Sequence, residues 1–298
     1  MSEDWHGRLA AFVARKEHEA RTATILPLTT EIDCGGSMAG LTPIGNEWTQ
    51  RLFGGPFYAS APPHPELPAV SLVFVQSRSG NTVANDPSLL GGGEADKHLI
   101  YEGLSRVAAD AVLAGAGTVR NGRVVLSTWH HELVALRESL GLPRHPIQIV
   151  ATQRGLTFDG LLFNAPELRV ILVTVPPCAD LMRAELADRP WITPVVMPSP
   201  SDLPDALRRL HTAGIARMSC IGGRTLAGQL LDAHLVDDVY LTTSPKEAGE
   251  PNTPLSARPL GGELIVRKHG TGVDEGVVFE HIRLRQAAGP AGRADRMA

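Results

Sequence analysis

Two glycine-rich turns contain the residue types best suited to bind a phosphorylated ligand. One has the sequence GAGTV at residues 115–119, and the other has GGRTL at residues 222–226. Glycine lets a backbone approach a ligand closely because it carries no Cβ. Each turn follows an apolar run of strand length, and ligands of parallel sheets bind beyond the carboxyl ends of strands. Together the two turns predict a nucleotide-binding crevice, whereas either one alone is explained equally well as a tight turn.

The second turn leads directly into a predicted helix, because Leu226, Leu230 and Leu231 have helical spacing. The first turn of a helix has free N–H groups and a partial positive charge, which suit a pyrophosphate. In the alternative interpretation, Thr225 is only the N-cap of this helix. The two roles are compatible.

The elements that carry these turns alternate between strand and helix. Nearly continuous apolar runs predict strands covered on both faces, at residues 70–76, 110–114, 147–152, 168–175, 192–197, 215–221 and 236–243. The alternation predicts a three-layer α/β/α domain over residues 69–285, with a mainly parallel central sheet. Two final β-type runs without a helix between them, at 264–269 and 277–284, predict a C-terminal antiparallel hairpin.

Two of the predicted helices carry candidate site residues. Ile100, Leu104 and Val107 recur at i, i+4 and i+7, which predicts a helix with Lys97 and Glu102 facing outward. Further along, Ser127 and Thr128 can cap a helix, which would place His130 and His131 on its exposed face.

Residues 1–68 and 286–298 lack this alternation. The predicted N-terminal region consists of a short helix at residues 8–21 and an irregular, Gly- and Pro-rich arm, which aromatic residues anchor to the main domain or to a partner subunit. Residues 286–298 are predicted to form a disordered tail.

The composition restricts the classes of function. The net charge is −4 and no block of Lys and Arg occurs, so nucleic acid is not an expected partner. No apolar stretch approaches membrane-spanning length, and the acidic N-terminus does not resemble a signal peptide, so we expect no membrane association and a cytoplasmic location. The three cysteines form no CxxC motif, and no set of residues has the spacing of a metal site.

The order of these motifs resembles the reductase domain of the bacterial riboflavin-biosynthesis deaminase/reductase, which has a dihydrofolate-reductase-like fold. The resemblance covers about residues 69–285, from the strand and Ser-x-x-Gly loop at 77–80 to GAGTV and GGRTL. It implies NADPH as cofactor, a ribosylamino-pyrimidine as the small-molecule substrate, and a homodimer. The deaminase half is not expected, because its zinc site needs P-C-x-x-C and Leu181 stands where Pro177-Cys178 would require the second cysteine.

The resemblance also assigns roles to individual residues. Arg106 matches an arginine that holds substrate phosphate, and Ser88 more loosely matches a serine with the same task. Gln76 lies against the nicotinamide half, Thr152 faces the adenosine half, and Arg154 is near enough to meet a 2′-phosphate. The residues that match the family's cofactor turns are Gly115, Gly117, Thr118, Gly222, Gly223, Arg224, Thr225 and Leu226.

Four departures from the family lie on the substrate side. The first loop reads SRSG at 77–80 instead of SLDG, and residues 121–123 read NGR instead of the start of ADDP. Val73 replaces a lysine and Ile221 replaces a glutamate. We therefore expect an NADPH-dependent reductase of a pyrimidine- or pterin-like molecule with a changed substrate. The alternatives are a catalytically inactive or repurposed nucleotide-binding paralogue, and an unrelated α/β transferase that binds another phosphate.

Reduction by NADPH needs a proton as well as a hydride. Asp86 and Glu94 lie near the expected mouth of the site, but neither matches a family motif. An imine substrate can also take its proton from solvent, so the sequence assigns no catalytic acid.

Overall fold

A ten-stranded sheet forms the centre of the computed structural model, which describes residues 4–84, 87–120, 122 and 124–284. The strands are β1 (Thr29–Asp33), β2 (Leu41–Ile44), β3 (Phe57–Ser60), β4 (Ala69–Gln76), β5 (Ala111–Gly115), β6 (Ile147–Ala151), β7 (Val170–Thr174), β8 (Ile192–Val196), β9 (Arg217–Cys220), β10 (Asp238–Thr243), β11 (Gly262–His269) and β12 (Val278–Leu284). In the sheet they lie in the order β1-β11-β12-β10-β4-β9-β5-β6-β7-β8, while β2 and β3 form a separate hairpin.

Seven neighbouring strands, from β10 to β8 in that order, are parallel. Their apolar residues are buried on both faces, which is why the sequence reads as continuous hydrophobic runs. Strands β11 and β12 form the predicted antiparallel hairpin, and β12 joins it to β10. The predicted mainly parallel sheet with a C-terminal antiparallel hairpin is therefore confirmed.

Helices cover both faces of the sheet. They are α1 (Trp5–Thr22), α2 (Glu47–Leu52), α3 (Gly93–Ala95), α4 (Ala116–Val119), α5 (His131–Ser139), α6 (Leu161–Asn164), α7 (Pro176–Leu181), α8 (Arg183–Ala187), α9 (Leu203–Thr212) and α10 (Arg224–Asp232), with a π-helix (Asp96–Leu104) that continues α3. Helices α9 and α10 pack on one face. The π-helix, α1, α2 and α5 pack on the other face, which completes the predicted three layers.

The predicted outward position of Glu102 is wrong. Its side chain is buried, and its carboxylate accepts hydrogen bonds from the backbone N–H groups of Trp129 and His130. Because the segment is π-helical, side chains recur with a longer period than the α-helical spacing assumed from the sequence. Lys97, in contrast, is partly exposed.

The predicted cap at Ser127 and Thr128 is also wrong. Helix α5 begins at His131, and both hydroxyl residues are fully buried in the loop before it. His130 precedes the helix and is buried rather than exposed, because Trp48 of the N-terminal region packs against its ring.

The N-terminal region contains the predicted helix but is more regular than the predicted arm. Strand β1 pairs with β11 at the edge of the main sheet. The buried Lys268 of β11 donates to the Thr30 hydroxyl at 2.8 Å and to the Gly54 carbonyl at 3.3 Å. At the end of β3, the Ser60 hydroxyl donates to the Asp238 carboxylate. These buried polar contacts, which the composition of the segment does not indicate, bind the N-terminal region to the sheet.

Candidate functional site

The first glycine turn lies at the carboxyl end of β5. Gly115 ends the strand, and residues 116–119 form the single turn of α4, which includes Thr118. No described atom lies within 4 Å of the position that a Cβ on Gly117 would occupy. The turn therefore has open space on its outer side.

The second glycine turn lies at the carboxyl end of β9 and begins α10. Gly223 is the N-cap and has a φ of +79°, a left-handed conformation that favours glycine. No described side chain forms a capping hydrogen bond to this helix, so the interpretation of Thr225 as the N-cap is wrong. Leu226 is buried beneath the turn, and its packing holds the first turn of the helix against the core. The free N–H groups at this helix start remain available to an anion.

The structure brings the two glycine turns into contact. The Ile221 N–H donates to the Leu113 carbonyl at 3.0 Å, which extends the pairing of β9 with β5 up to the turns. A Cβ on Gly115 would stand 3.8 Å from the Gly222 carbonyl oxygen, and one on Gly222 would stand 3.2 Å from the Thr118 hydroxyl oxygen. Two turns more than 100 residues apart in sequence thus form one surface at the carboxyl edge of the sheet.

Thr152 and Arg154 lie beside this surface, because β6 is the next strand and pairs Ala151 with Gly115. The Thr152 hydroxyl is buried and donates to the Gly155 carbonyl at 2.9 Å, so it closes the loop that carries Arg154. Arg154 is exposed. The Thr152 hydroxyl therefore shapes this loop, and the Arg154 side chain lies on the surface of the loop.

Gln76 ends β4 on the other side of β9. Its side-chain amide donates to the Thr243 hydroxyl at 3.0 Å and so ties the end of β4 to the end of β10. Arg224, at the start of α10, donates from Nε to the Pro254 carbonyl at 3.0 Å. Both residues lie at the carboxyl edge of the sheet.

Arg106 does not reach this surface. Its side chain is only 3% exposed, donates to the Ser127 carbonyl at 2.8 Å, and lies over the Tyr101 ring at 3.9 Å. Two of its guanidinium nitrogens, Nε and Nη2, have no hydrogen-bond partner among the described residues. The Ser88 side chain lies outside the described residues. The substrate-phosphate role of both residues remains a prediction.

Two of the substrate-side departures are apolar residues in the core. Val73 and Ile221, which replace a lysine and a glutamate of the resembling family, are both buried and belong to the same hydrophobic cluster. A third departure is NGR at 121–123, of which Asn121 and Arg123 lie outside the described residues. The change from charged to apolar side chains therefore extends to the interior next to the second turn.

One acidic residue at the carboxyl edge was missed in the sequence. The Thr242 hydroxyl of β10 donates to the carboxylate of Asp96, the first residue of the π-helix. Burial, with a contribution from the Asp274 carboxylate, raises the pKa of Asp96 to about 6. An aspartate near the start of a helix is ordinary in sequence, and only the fold shows that it packs against β10. Of the two acids named from the sequence, Glu94 pairs with Lys97 and His98, and Asp86 lies outside the described residues.

Two cavities lie at the opposite, amino-terminal edge of the sheet. The larger, about 310 Å³, lies between the β2–β3 hairpin and the end of α5, and Thr42, Leu140 and Arg217 are among its lining residues. The smaller, about 30 Å³, is lined partly by Ser60 and Asp238. Neither includes a residue of the glycine turns.

The described part of the chain has no cluster of three or more His, Cys, Asp or Glu side chains that could hold a metal ion. Within the same residues, no helix has the length and apolar character needed to cross a membrane.

Comparisons with known proteins agree with the predicted resemblance. A family model described as the RibD C-terminal domain matches residues 82–274, well over half of the chain. No curated protein matches the chain.

Solved structures share the fold at low sequence identity. A pyrimidine reductase-like protein from Corynebacterium diphtheriae has a TM-score of 0.62 at 20% identity, over 74% of this chain and 93% of that one. RibD from Acinetobacter baumannii has a TM-score of 0.57 at 20% identity, over 74% of this chain. The deaminase/reductase from Thermotoga maritima has a TM-score of 0.54 at 19% identity, again over 74% of this chain. This chain spans 59% and 57% of the latter two proteins. The likeness confirms the predicted dihydrofolate-reductase-like fold.

Proposed function

Because the chain belongs to the RibD C-terminal domain family, we propose that it is an NADPH-dependent reductase of a pyrimidine- or pterin-like small molecule. The observation that carries this proposal is the contact between the two glycine turns at the carboxyl edge of the parallel sheet. Ligands of open α/β sheets bind at such an edge. The reductase activities named for the solved relatives support the same class of reaction.

The residues at this edge fit a dinucleotide. The uncapped start of α10 offers backbone N–H groups to a pyrophosphate, and the open space outside Gly117 leaves room for the ligand. Thr118 is the hydroxyl residue at the junction of the two turns. In this proposal Gly222 to Leu226 hold the pyrophosphate, Thr152 and Arg154 meet the adenosine half and its 2′-phosphate, and Gln76 borders the nicotinamide half.

Bound NADPH supplies the hydride for the reduction. The protein supplies orientation and keeps competing water from the reacting atoms. Gln76 contributes to orientation through its bond to Thr243, because the bond fixes the edge formed by β4 and β10. Leu226 contributes by anchoring the first turn of α10 in the core.

The buried apolar residues Val73 and Ile221 support a substrate different from that of the riboflavin-biosynthesis reductases that the chain resembles. The lysine and the glutamate of that family are replaced by apolar residues. Substrate groups that these charged side chains would bind therefore have no charged partner at the two positions. The same observation favours the second candidate function, a nucleotide-binding paralogue of the same fold without turnover.

A titration of the purified chain with NADPH tests the proposal. We expect saturable binding in the micromolar range, typical of enzymes for their cofactors, and oxidation of NADPH with a pyrimidine such as 5-amino-6-(5-phosphoribosylamino)uracil or with dihydrofolate. Absence of NADPH binding, or tighter binding of another nucleotide, would overturn the reductase assignment. NADPH binding without oxidation by any pyrimidine or pterin would favour the inactive paralogue.

The resemblance also leads us to propose a cytoplasmic homodimer. Light scattering of the purified full chain should give twice the 31.8 kDa mass of the monomer. A monomeric mass across the micromolar concentration range would contradict this part of the proposal.

A further inference from the structure

The π-helix carries a row of ionisable side chains at a five-residue interval: Asp96, Tyr101 and then Arg106 just beyond its end. In a π-helix the hydrogen bonds run from residue i+5 to residue i, as the Ser105 N–H does to the Ile100 carbonyl. Side chains five positions apart therefore lie near one another. The Arg106 guanidinium lies over the Tyr101 ring at 3.9 Å, and the charges of Asp96 and Arg106 both act on the Tyr101 phenol. π-helical segments occur often at functional sites.

The first member of this row lies at the carboxyl edge of the sheet. Asp96 accepts a hydrogen bond from Thr242, the penultimate residue of β10. The next residue of the strand, Thr243, pairs with Gln76 at the end of β4. Asp96 therefore lies at the edge that the proposed function gives to the nicotinamide half of the cofactor and to the substrate.

One oxygen of the Asp96 carboxylate accepts the hydrogen bond from the fully buried Thr242, and the other oxygen lies against Gly92. Asp96 as a whole residue is partly exposed. Val75, which lies opposite Thr242 on β4, is also partly exposed, as is Tyr101 one π-turn along. The carboxyl group thus lies just beneath a partly exposed surface at the carboxyl edge of the sheet.

The groups around Asp96 favour its protonated form. Burial raises its pKa to about 6, the Asp274 carboxylate from the turn between β11 and β12 adds to this rise, and the Thr242 hydrogen bond opposes it. Tyr101 is the neighbouring ionisable group on the same helix. Among the residues that the structure describes, no cation lies within ion-pair distance of Asp96. A carboxyl group in this state can hold a proton near neutral pH and release it to a base.

Glu94 lacks these properties. Its side chain is 45% exposed, and it pairs with Lys97 at 3.2 Å and with His98 at 3.1 Å. It therefore serves as the matched control, an acid two residues away on the same helical segment.

Building on the proposed reductase function, we propose that Asp96 is the general acid that completes the reduction. The hydride from NADPH forms a C–H bond at the electron-poor carbon of a C=N group, and the cofactor leaves as NADP⁺. The π electron pair of that group moves to nitrogen, which takes the proton of Asp96, so that one O–H bond breaks and one N–H bond forms. The carboxylate keeps the Thr242 hydrogen bond and then regains a proton from water.

The test compares the wild type with Asp96→Asn and Glu94→Gln, using NADPH and 5-amino-6-(5-phosphoribosylamino)uracil or dihydrofolate as probes. General acids contribute roughly 100-fold or more to rate, so we expect Asp96→Asn to lower kcat by about that factor while NADPH affinity stays unchanged. The wild-type kcat/KM should fall above about pH 6, the region of the Asp96 pKa, and the dependence should disappear in Asp96→Asn. Glu94→Gln should keep both the rate and the pH profile.

A second readout does not depend on turnover. Carbon-13 NMR of aspartate-labelled protein should show one carboxyl signal with a midpoint near 6, absent in Asp96→Asn. A midpoint in the ordinary aspartate range, about 4, would overturn the inference, and so would full activity of Asp96→Asn. A wild-type protein that binds NADPH but reduces neither probe would also overturn the inference. Failure of the wild type to bind NADPH would instead overturn the proposed function itself.

Discussion

Gly222 and Thr118 lie so close together that a methyl group on Gly222 would stand 3.2 Å from the Thr118 hydroxyl oxygen. This separation is shorter than an ordinary contact between a carbon atom and a hydroxyl oxygen. The absence of a side chain at Gly222 therefore allows the two turns to meet. A side chain at this position would require Thr118 or the turn to shift by a few tenths of an ångström.

We accordingly expect Gly222→Ala to weaken NADPH binding by about tenfold, which corresponds to about 1.4 kcal/mol. The added methyl group displaces Thr118 or the turn, and the fold outside the turns should keep its thermal stability. Fluorescence titration with NADPH measures the effect.

Gly228→Ala is the matched control in α10, because no described atom lies within 4 Å of its Cβ position. Alanine in a helix interior is favoured over glycine by about 1 kcal/mol, so this variant should be as stable as the wild type or more so, with unchanged affinity. Equal NADPH affinity of Gly222→Ala and the wild type would contradict the role of the turn junction.

Arg154→Gln should reduce the preference for NADPH over NADH. The exposed guanidinium lies on the loop that Thr152 closes, and charge-assisted hydrogen bonds to phosphate are among the stronger ones. We expect NADPH affinity to fall about tenfold, or about 1.4 kcal/mol, while NADH affinity is unchanged. Arg169→Gln, an exposed arginine just before β7 at the other edge of the sheet, should leave both affinities unchanged. An equal loss for both dinucleotides would show that Arg154 does not distinguish them.

The strands and glycine turns could be predicted from the sequence because their signals are local. A strand covered on both faces is apolar along its whole length, and residues 110–114 and 147–152 predicted β5 and β6 with only small errors at the ends. The two turns were predicted from the glycines that follow the ends of the strands. Their contact could be expected because parallel strands bring their carboxyl ends to one edge.

The errors concern residues whose environment depends on distant parts of the chain. Glu102 and His130 look like surface residues, but backbone donors and a ring from elsewhere bury them. In the sequence, Asp96 is an ordinary acidic residue near the start of a helix. Only the folded structure shows that β10 packs against it. The π-helical period, which moves Glu102 inward, has no signal in the hydrophobic pattern. The sequence motif that matches Arg106 also does not show that its guanidinium points into the protein, and its substrate-phosphate role stays a prediction.

Arg137→Met should strongly destabilise the fold. The fully buried guanidinium donates to the carbonyls of Arg106 at 3.0 Å, Ala109 at 2.6 Å and Pro143 at 2.6 Å, and burial lowers its pKa to about 10. Methionine fills similar space but leaves these acceptors unpaired, at roughly 1–3 kcal/mol each. We expect a loss of about 3 kcal/mol or more in the free energy of unfolding, measured by urea denaturation.

Arg183→Met provides the comparison for an exposed arginine. Its side chain is 78% exposed and pairs with Asp180, three residues earlier in the chain. Exposed pairs contribute at most about 1 kcal/mol, so this variant should unfold near the wild-type urea midpoint. Similar losses in the two variants would show that the buried bonds of Arg137 contribute little.

Stability should also depend on the ionisation of Asp96. Its pKa is raised to about 6 in the folded protein, so between about pH 4 and pH 6 the folded state binds more protons than the unfolded chain. The free energy of unfolding therefore falls as the pH rises through this window, by up to about 3 kcal/mol. Asp96→Asn lacks this titration, so its stability relative to the wild type should increase from pH 4 to pH 7 and then stay constant. Urea denaturation at each pH, with Glu94→Gln as control, measures the difference. A constant difference between Asp96→Asn and the wild type would show that Asp96 has an ordinary pKa.

His130 should make the fold sensitive to acid in the opposite sense. Its ring lies 4.5 Å from that of Trp48 and 4.6 Å from that of His131, and burial, with the neighbouring histidines His131 and His98, lowers its pKa to about 4. Between about pH 6.5 and pH 4 this histidine is protonated in the unfolded chain but not in the folded protein. The contribution of neutral His130 to the free energy of unfolding is therefore complete above about pH 6.5. It is lost as the pH falls, by up to about 3 kcal/mol. Because Trp48 belongs to α2, we expect acid to loosen the N-terminal region first, which tryptophan fluorescence can follow.

His130→Phe keeps an aromatic ring beside Trp48 but cannot take up a proton. The stability of this variant should therefore fall less steeply than that of the wild type between pH 6.5 and pH 4, in urea denaturation followed by tryptophan fluorescence. His64→Phe, at an exposed position of the same N-terminal region, should keep the wild-type slope. If His130→Phe and the wild type lose stability equally over this range, protonation of His130 is not what loosens the region, and another buried group must account for the acid sensitivity.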